Sequence, residues 1–310
     1  MEYTSSYHAP VMVEEVLRHL APERGGVYLD GTLGGGGHAE AVLERGPEAM
    51  VLGVDRDPDA LREAGTRLAR FGERVRLVQA NYADAVVTAG IAPGSLAGAL
   101  LDLGISSHQI DVAERGFTFR AGAPLDMRMG QRSGSEPTAA DLLNTRTEEE
   151  LANIFYRFGE EKRSRRLARV IAEMRTERPL ASSDDLVAAM DRSLTRPTAQ
   201  DRARIFQALR IAVNGEIEAL ERALPEIREA LMPGGVLVVL SYHSLEDRVV
   251  KDSFREWSRD CICPPKLPIC MCRGVALGTS LTRKPLSAGE AEVAQNVRAR
   301  SARLRAWRRA

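Results

Sequence analysis

Short apolar runs alternate with longer stretches of helical composition over the first third of the chain. Four runs of strand length lie at 25–29, 49–54, 75–79 and 96–101, and an aspartate follows the first, second and fourth. Helices are predicted before and between them, and the one that begins near Pro58 has its proline in the first turn, where a helix tolerates it. Strands that alternate with helices in this order predict a doubly wound parallel sheet.

This alternation stops in the middle of the chain. Positions 111–215 contain no convincing strand and predict helices instead. The clearest of these helices opens with a capping box, Thr147-x-x-Glu150, in which each side chain bonds to the backbone amide of the other residue. Two more helices are predicted, one over 163–175 and one that starts near Ser182.

The strand pattern returns at 236–240, a very apolar run that follows the turn residues 232–235. A lone buried strand in a separate C-terminal domain would have no sheet to join. The sequence therefore predicts an α/β fold, in which a doubly wound, Rossmann-like sheet is interrupted by an all-helical inserted domain. The expected bounds are 1–112 and 215–310 for the sheet domain and 113–214 for the insertion, to which substrate recognition is assigned.

Composition and charge narrow the function only slightly. The chain has 310 residues, 44% of them hydrophobic, and a formal net charge of zero, so no overall field indicates a nucleic-acid partner. Only four of the 43 basic residues are lysine, and arginine is the residue that forks onto phosphates and stacks on bases. No apolar run approaches a membrane span, and the N-terminus lacks a basic-then-apolar signal, so the expected location is the cytoplasm.

A run of four glycines, Gly34 to Gly37, follows the first predicted strand. With no Cβ in the way, the backbone there can pass very close to a ligand, and the next helix aims its N-terminal amides at the same place. The second predicted strand ends on Asp55, and an acid at that point binds the two hydroxyls of a ribose in nucleotide-binding folds. These features together predict a cofactor that contains adenosine.

Asp30, which opens the glycine loop, indicates which cofactor this is. The pattern Gly34-x-Gly36-x-x-Ala39 also fits the dinucleotide fingerprint, but that pattern alone is a weak signal. A carboxylate at Asp30 would repel a phosphate, whereas it suits the ammonium group of S-adenosyl-L-methionine. The predicted cofactor is therefore S-adenosyl-L-methionine, and a dinucleotide-dependent oxidoreductase is the alternative.

The four cysteines lie close together in the sequence, as Cys261-x-Cys263 and Cys270-x-Cys272. Four thiolates could bind zinc, although Cys-x-Cys is tighter than the usual spacing of zinc ligands. The alternative is a proline-stiffened loop of reduced thiols, as is usual in the cytosol. Since no histidine stands nearby, no metal site is predicted.

Eight short motifs carry a family resemblance. They are Gly34-Gly-Gly-Gly-His38, Leu101-Asp-Leu-Gly-Ile-Ser-Ser107, Glu114-Arg-Gly-Phe-Thr-Phe119, Leu125-Asp-Met-Arg-Met129, Phe158-Gly-Glu-Glu-Lys162, Phe206-Gln-Ala-Leu-Arg-Ile211, Ser241-Tyr-His-Ser-Leu-Glu-Asp-Arg248 and Arg298-Ala-Arg-Ser301. In these motifs and their order the chain resembles the bacterial 16S ribosomal RNA cytosine-N4 methyltransferases, from His8 to the C-terminus. Two departures are His108 and Val297, where that family often has proline.

The resemblance implies a class I methyltransferase core with a helical insertion. It also implies methyl transfer from S-adenosyl-L-methionine to the N4 amine of a cytosine in the decoding centre of 16S ribosomal RNA, with the small ribosomal subunit as partner. A non-enzymatic ribosome-assembly factor that binds RNA through arginines is the alternative from another class. The oligomeric state is not predicted.

Five residues are expected to bind the cofactor on the evidence of the pattern. Gly36, Gly37 and His38 should line its methionine and ribose side through their backbone, and a catalytic base is the second interpretation of His38. Asp55 should accept both ribose hydroxyls, unless it is a surface acid. Tyr82, after the third predicted strand, should lie against the adenine, and plain core packing is its alternative.

Asp102 ends the fourth predicted strand, at the edge where open α/β sheets bind ligands. It binds the cofactor's ammonium, accepts a proton from the substrate amine, or does both. The resemblance favours cofactor binding and adds Gln109 to the site. The acceptor for the amine is therefore Asp102, a backbone carbonyl between Leu103 and Ile105, or Ser106.

Four more residues are candidate substrate contacts. Ser241 and His243 follow the restored strand and should face the same cleft, while Asp126 and Arg128 belong to a loop that leads into the insertion. For each of the four, a structural hydrogen bond is the alternative.

Two arginine-rich runs are candidates for contact with RNA phosphates. The first is 157–178, in which Arg165, Arg166 and Arg169 are the chosen residues, and the second is the arginine-rich end of the chain, 298–309. In both cases a solvated helix face is the alternative interpretation.

Overall fold

The computed structural model describes residues 10–105, 112–130, 136–264, 269 and 271–310. It forms two compact units, one made of the chain up to Gly104 and from Ile217 onward, the other of Ile105–Glu216. Within the described ranges, no helix is both long enough and apolar enough to cross a membrane. Ser106, Gln109 and Cys270 lie outside the described residues.

A mixed sheet forms the centre of the first unit. Its strands are β1 (Gly26–Asp30), β2 (Ala49–Asp55), β3 (Val75–Gln79), β4 (Leu96–Asp102), β5 (Leu231–Ser241), β6 (Gly278–Ser280) and β7 (Arg303–Arg309). Over the described residues they stand in the order β3-β2-β1-β4-β5-β7-β6. The strands β1 to β5 are parallel, and β7 runs antiparallel to both of its neighbours. The predicted parallel, Rossmann-like sheet is confirmed.

Helices cover both faces of this sheet and make up most of the second unit. They are α1 (Val13–Leu20), α2 (Gly37–Arg45), α3 (Pro58–Leu68), α4 (Ala85–Thr88), α5 (Ala139–Thr145), α6 (Glu148–Gly159), α7 (Ser164–Glu177), α8 (Ser183–Ser193), α9 (Ala199–Asn214), α10 (Glu216–Ala230), α11 (Ser244–Trp257) and α12 (Glu290–Gln295). On one face of the sheet, α1 to α3 contribute Leu17, Leu43 and Leu68 to a buried cluster. On the other, Leu220 of α10 and Phe254 of α11 belong to a second cluster. Because the central strands are buried on both faces, their sequences are continuous apolar runs.

The regular secondary structure of the second unit is helical over its described residues, apart from an isolated antiparallel bridge between Pro124 and Ser182. Capping boxes open four of its helices, at Thr138, Thr147, Ser182 and Thr198. The capping box predicted at Thr147 is therefore confirmed. A hydrophobic core of its own, with Phe155 fully buried, holds these helices together.

The C-terminal strand β7 was not predicted, and it changes the interpretation of the arginines there. Arg305 is only 7% exposed, and its Nε and Nη2 donate to the two carboxylate oxygens of Asp247 at 2.7 and 3.1 Å. Arg309 donates to the backbone carbonyls of Glu229 and Leu231 at 2.6 and 2.5 Å. The prediction that the end of the chain is a run of phosphate contacts is wrong for these two arginines, because they hold the strand to α10 and α11.

We expect Arg305→Gln to destabilise the first unit by about 3 kcal/mol, because it leaves the Asp247 carboxylate without its bidentate partner in a largely buried position. Arg308→Gln is the matched control, since Arg308 lies on the same strand and is exposed. It should change the free energy of unfolding by less than about 0.5 kcal/mol. Thermal and urea unfolding of both variants measure the difference, and equal losses would contradict the structural role given to Arg305.

Candidate functional site

Three carboxylates end three neighbouring parallel strands of the first unit. Asp30 ends β1, Asp55 ends β2 and Asp102 ends β4, and β1 lies between the other two strands. Because the strands are parallel, all three acids lie at the carboxyl edge of the sheet. This is the edge at which open α/β sheets bind their ligands.

Asp55 fastens the glycine loop to the sheet. Its Oδ2 accepts a hydrogen bond from the Gly34 amide, and its Oδ1 accepts one from the Asp57 amide, both at 2.8 Å. Burial raises the pKa of Asp55, and the hydrogen bonds from these two amides oppose that shift. The Arg56 amide is a third backbone donor to this carboxylate, so one of its four lone pairs is left for a hydroxyl group of a ligand.

Glycine is required at two positions of the loop for two different structural reasons. Gly36 has φ of +79°, a left-handed conformation that residues with a side chain rarely adopt. At Gly37, the first residue of α2, an added Cβ would lie 2.9 Å from Cγ of Pro10. The loop therefore needs glycine both to turn and to leave room for the N-terminal segment.

His38 is buried in the first turn of α2. Its Nε2 lies 2.9 Å from the backbone carbonyl of Val11, and its Nδ1 lies 3.6 Å from Oδ2 of Asp102. A carbonyl can only accept a hydrogen bond, so Nε2 carries a proton. In the neutral ring, Nδ1 and Asp102 Oδ2 are then two acceptors that face each other, an arrangement suited to an N–H donor between them.

Asp102 is held from two sides. Tyr242 donates its hydroxyl hydrogen to Oδ1 of Asp102 at 2.7 Å, and the Asp102 amide donates to Oγ1 of Thr32 at 2.6 Å. Burial and the negative charge of Asp102 raise the pKa of Tyr242 well above its usual value, so the hydroxyl stays protonated. Sequence reasoning missed Tyr242, although its position directly after β5, at the same edge of the sheet, was a signal.

Asp30 is the most deeply buried of the three acids, at 5% exposed. Burial raises the pKa of Asp30 to about 7, while its electrostatic interaction with the His38 ring acts in the opposite direction. Asp102 and Asp55 add to the rise by repulsion. This side chain therefore changes its charge near neutral pH and would gain from a cation at this edge.

The other predicted residues of the first unit have structural contacts of their own. Tyr82 is partly buried and packs against the hydrophobic cluster on the α10 and α11 side of the sheet. Ser241 is 2% exposed, and its hydroxyl donates to the Arg303 carbonyl at 3.4 Å. His243 caps α11, where its Nδ1 accepts from the Glu246 amide at 3.4 Å. These contacts favour the structural alternative for Ser241 and His243.

The predicted residues of the second unit divide into a paired set and an exposed set. Arg128 donates from Nε and Nη2 to the two carboxylate oxygens of Asp126, at 2.8 and 2.9 Å. Arg165, Arg166 and Arg169 lie exposed on α7. The Asp126–Arg128 pair thus has an internal role. The three arginines are exposed to solvent, and Nε of Arg169 also lies 3.6 Å from Oε1 of Glu148 at the surface.

The sheet, the glycine loop and the acids that end β1, β2 and β4 define a class of protein. It is a Rossmann-like methyltransferase whose cofactor is S-adenosyl-L-methionine, as the sequence predicted.

Comparison with known proteins identifies the family. The model of the MraW methylase family matches residues 5–310, and the chain belongs to this family. A ribosomal RNA small subunit methyltransferase H from Gemmatimonas aurantiaca is 53% identical over 99% of this chain and 96% of its own. The protein of the same name from Syntrophotalea carbinolica is 50% identical over 97% of this chain and 98% of its own. A solved rRNA methylase from Streptococcus thermophilus aligns over 94% of both chains at 10% identity with a TM-score of 0.41, too distant a likeness to bear on function.

We expect Asp55→Asn to weaken S-adenosyl-L-methionine binding by about 1.5–3 kcal/mol, the usual contribution of hydrogen bonds to a charged group. The amide retains one acceptor oxygen for the loop but loses the charge and the other acceptor oxygen. Asp59→Asn is the control, because Asp59 lies in the first turn of α3 and pairs with Arg62 at the surface. Calorimetric titration of both variants measures the effect, and an unchanged dissociation constant for Asp55→Asn would remove Asp55 from the ribose site.

The raised pKa of Asp30 predicts how cofactor affinity depends on pH. The ionised carboxylate attracts the ammonium group, so affinity should fall as the pH drops from 7.0 to 5.5, a range in which an α-amino group is mostly protonated. Cofactor-free protein should show the opposite trend. A pKa raised from 3.8 to about 7 stabilises the fold below pH 4 and loses that contribution as the pH rises to 7.

Asp30→Asn is the variant that isolates the contribution of Asp30 from that of the neighbouring groups. It should bind the cofactor more weakly at pH 7.0 and show a smaller pH dependence than the parent. Titrations of both proteins across this range make the comparison, and parallel pH profiles would assign the titration to another group.

Proposed function

We propose that this chain transfers the methyl group of S-adenosyl-L-methionine to the N4 amine of a cytosine in the decoding centre of 16S ribosomal RNA, within the small ribosomal subunit. The names of the curated relatives support ribosomal RNA of the small subunit as the substrate. The resemblance of the eight sequence motifs to the cytosine-N4 methyltransferases supports cytosine as the methylated base and N4 as the methylated atom. The fold and the glycine loop support S-adenosyl-L-methionine as the methyl donor.

The arrangement of Asp102, His38 and Tyr242 is the observation that carries this proposal. Methyl transfer from a sulfonium is an in-line displacement with a good leaving group, so the enzyme's main task is placement. The amine of cytosine is a poor nucleophile because its lone pair is delocalised into the ring. An acceptor that binds one N–H holds the amine and helps it to pyramidalise, and Asp102 Oδ2 is an acceptor fixed by its neighbours.

Asp102 has a second assignment that also agrees with its surroundings. Its carboxylate, like that of Asp30, suits the ammonium group of the cofactor. In that case the amine donates to a backbone carbonyl in the stretch from Leu103 to Ile105. Gly36, Gly37, His38 and Gln109 complete the cofactor site in either assignment.

The two assignments of Asp102 give different results in one variant. If Asp102 accepts from the amine, Asp102→Asn lowers the turnover number and leaves the dissociation constant of the cofactor unchanged. If it binds the ammonium, the dissociation constant rises as well. Tyr242→Phe should reduce turnover in the same direction and by less, because it loosens the carboxylate without removing it, and Tyr156→Phe at an exposed position is its control. Full turnover in both active-site variants would remove this cluster from catalysis.

The function itself is tested in cells that lack the protein. Nucleosides of their small-subunit RNA should lack N4-methylation at one cytosine, and the parent gene should restore it while the Asp102→Asn variant should not. Purified protein should transfer a labelled methyl group to small-subunit particles from these cells. An assembly factor without activity would transfer no label, and methylation at a different atom would overturn the N4 assignment.

We assign substrate recognition to the inserted helical unit and to the exposed arginines of α7. Two other basic residues of the same run serve the fold. Arg175 donates to the carbonyls of Leu143 and Arg146 at 2.9 and 2.6 Å, and Arg178 pairs with Asp185 at 2.5 Å. The exposed basic residues that this run leaves for RNA are three ahead of α7 (Arg157, Lys162 and Arg163) and three on it (Arg165, Arg166 and Arg169).

Replacing Arg165, Arg166 and Arg169 with Gln should raise the Michaelis constant for small-subunit particles and flatten its dependence on salt. Each lost phosphate contact removes about one released counterion, while cofactor affinity should barely change. Arg18, Arg62 and Arg255 form the control set, since they are exposed on three other helices and carry the same total charge. The modified base should stay the same, because phosphate contacts position the RNA without reading its sequence. Equal effects of the two triple variants would show a general charge effect rather than a recognition face.

A further inference from the structure

The segment that joins α11 to β6, residues 258–277, has no hydrophobic core of its own over its described residues. None of its described apolar side chains is buried, and Ile269, Met271 and Val275 are 74%, 82% and 60% exposed. Connections of this length without secondary structure are uncommon in compact proteins and need a physical reason to be ordered. Small segments without a core are usually held by disulfides or a metal ion.

Ordinary polar contacts fix the two ends of this segment. The Leu277 amide donates to the Trp257 carbonyl at 2.8 Å, and the Ala276 amide donates to Asp260 at 3.2 Å. Arg273 donates to the Glu256 side chain and backbone, in both cases at 2.5 Å. These bonds close the base of the loop, whereas its outer part is where the cysteines lie.

Three thiols converge in that outer part. The sulfur atoms of Cys261, Cys263 and Cys272 all lie within 4.8 Å of one another. The Sγ atoms of Cys261 and Cys272 are 3.8 Å apart. Tetrahedral zinc with Zn–S bonds of about 2.3 Å places its sulfur ligands about 3.8 Å apart, whereas a disulfide requires about 2.05 Å. The spacing is therefore that of sulfur atoms that share a metal ion.

Backbone amides point at these sulfur atoms in a reciprocal pattern. The Ile262 amide, between the first two cysteines, donates to Cys272 Sγ at 3.3 Å. The Met271 amide, beside Cys272, donates to Cys263 Sγ at 3.4 Å. Hydrogen bonds to the charged form of a group favour that form, so the two amides favour thiolates. Thiolates are the form in which cysteine binds a metal.

We propose that Cys261, Cys263 and Cys272 bind one structural Zn²⁺ ion that holds this segment in its folded conformation. Soft thiolate ligands in a tetrahedral arrangement select zinc over magnesium, calcium or manganese. This reverses the expectation from the sequence, which weighed the spacing along the chain and the lack of histidine but not the way the chain folds back. The proposal rests on these three residues, which supply three of the four ligands of a tetrahedral site.

The position of the site in the fold makes it structural rather than catalytic. Helix α11 starts after β5, at the carboxyl edge of the sheet, and returns to the opposite edge, where β6 begins parallel to β5. The thiols therefore lie across the sheet from Asp30, Asp55 and Asp102. Zinc at this place orders the exposed apolar side chains of the segment and takes no part in methyl transfer.

The test measures zinc in untagged full-length protein, purified without chelator or nickel resin, by plasma mass spectrometry. The parent should hold about one zinc ion per chain, as a single tetrahedral site requires. Cys261→Ser, Cys263→Ser and Cys272→Ser should each lose most of it. Ile262→Ser is the matched control, because it changes an exposed side chain of the same loop and keeps its thiols and backbone amide. Cofactor titration run in parallel reports whether each variant is folded.

A second measurement needs no variant. Alkylation of the three cysteines in the parent, followed peptide by peptide, should accelerate severalfold when a chelator is added and slow again with Zn²⁺. Replacing zinc by Co²⁺ should give the visible absorption of tetrahedral cobalt bound to thiolate. The proposal is overturned if zinc-supplemented protein binds no metal, if the triple serine variant keeps it, or if the intact mass shows a disulfide among these cysteines.

Discussion

The burial of three carboxylates side by side at one edge of the sheet is the constraint on which the rest of the site depends. Like charges repel strongly where water is scarce, so each acid requires donors or cations around it. Asp55 obtains backbone amides, which fixes the path of the glycine loop. Asp102 obtains the Tyr242 hydroxyl, which requires β5 to end beside β4. The chain returns to the sheet after the inserted unit, and that return supplies the donor.

The same constraint explains the choice of cofactor. A dinucleotide would bring two phosphates to an edge that already holds three acids, whereas S-adenosyl-L-methionine brings a sulfonium and an ammonium. The difference between the two cofactors is largest at Asp30. Because the pKa of Asp30 is raised to about 7, its charge near neutral pH depends on the group that binds next to it. After transfer of the methyl group, the sulfur is a neutral thioether. The attraction that favours the cofactor is then weaker for the product, which helps the product to leave.

Much of this arrangement was predictable from the sequence, for identifiable reasons. The strands β1 to β4 and the acids at their ends follow from local apolar runs and from the rule that parallel strands end at one edge. Tyr242 and β7 were missed because their roles depend on partners far along the chain: Asp102 is 140 positions from Tyr242, and Asp247 is 58 positions from Arg305. The convergence of the cysteines was not visible for a similar reason, since their spacing in sequence does not show that the loop folds back. Sequence patterns reveal local periodicity well, whereas side-chain pairs across the sheet become visible only in the folded structure.

The arginines show how far charge alone can mislead. A guanidinium can donate to several backbone carbonyls at once. In a chain whose basic residues are almost all arginine, many of these arginines therefore hold parts of the fold together. Arg74 illustrates this use, since its Nη1 reaches the carbonyls of Leu43 and Gly46 at 3.1 and 3.0 Å. Arginines of this kind add to the count of basic residues and offer nothing to RNA. The charge available to a polyanion is better judged from exposure than from sequence. By that criterion Arg165, Arg166 and Arg169 remain candidates on α7, and the end of the chain keeps Arg300, Arg303 and Arg308 but loses Arg305 and Arg309.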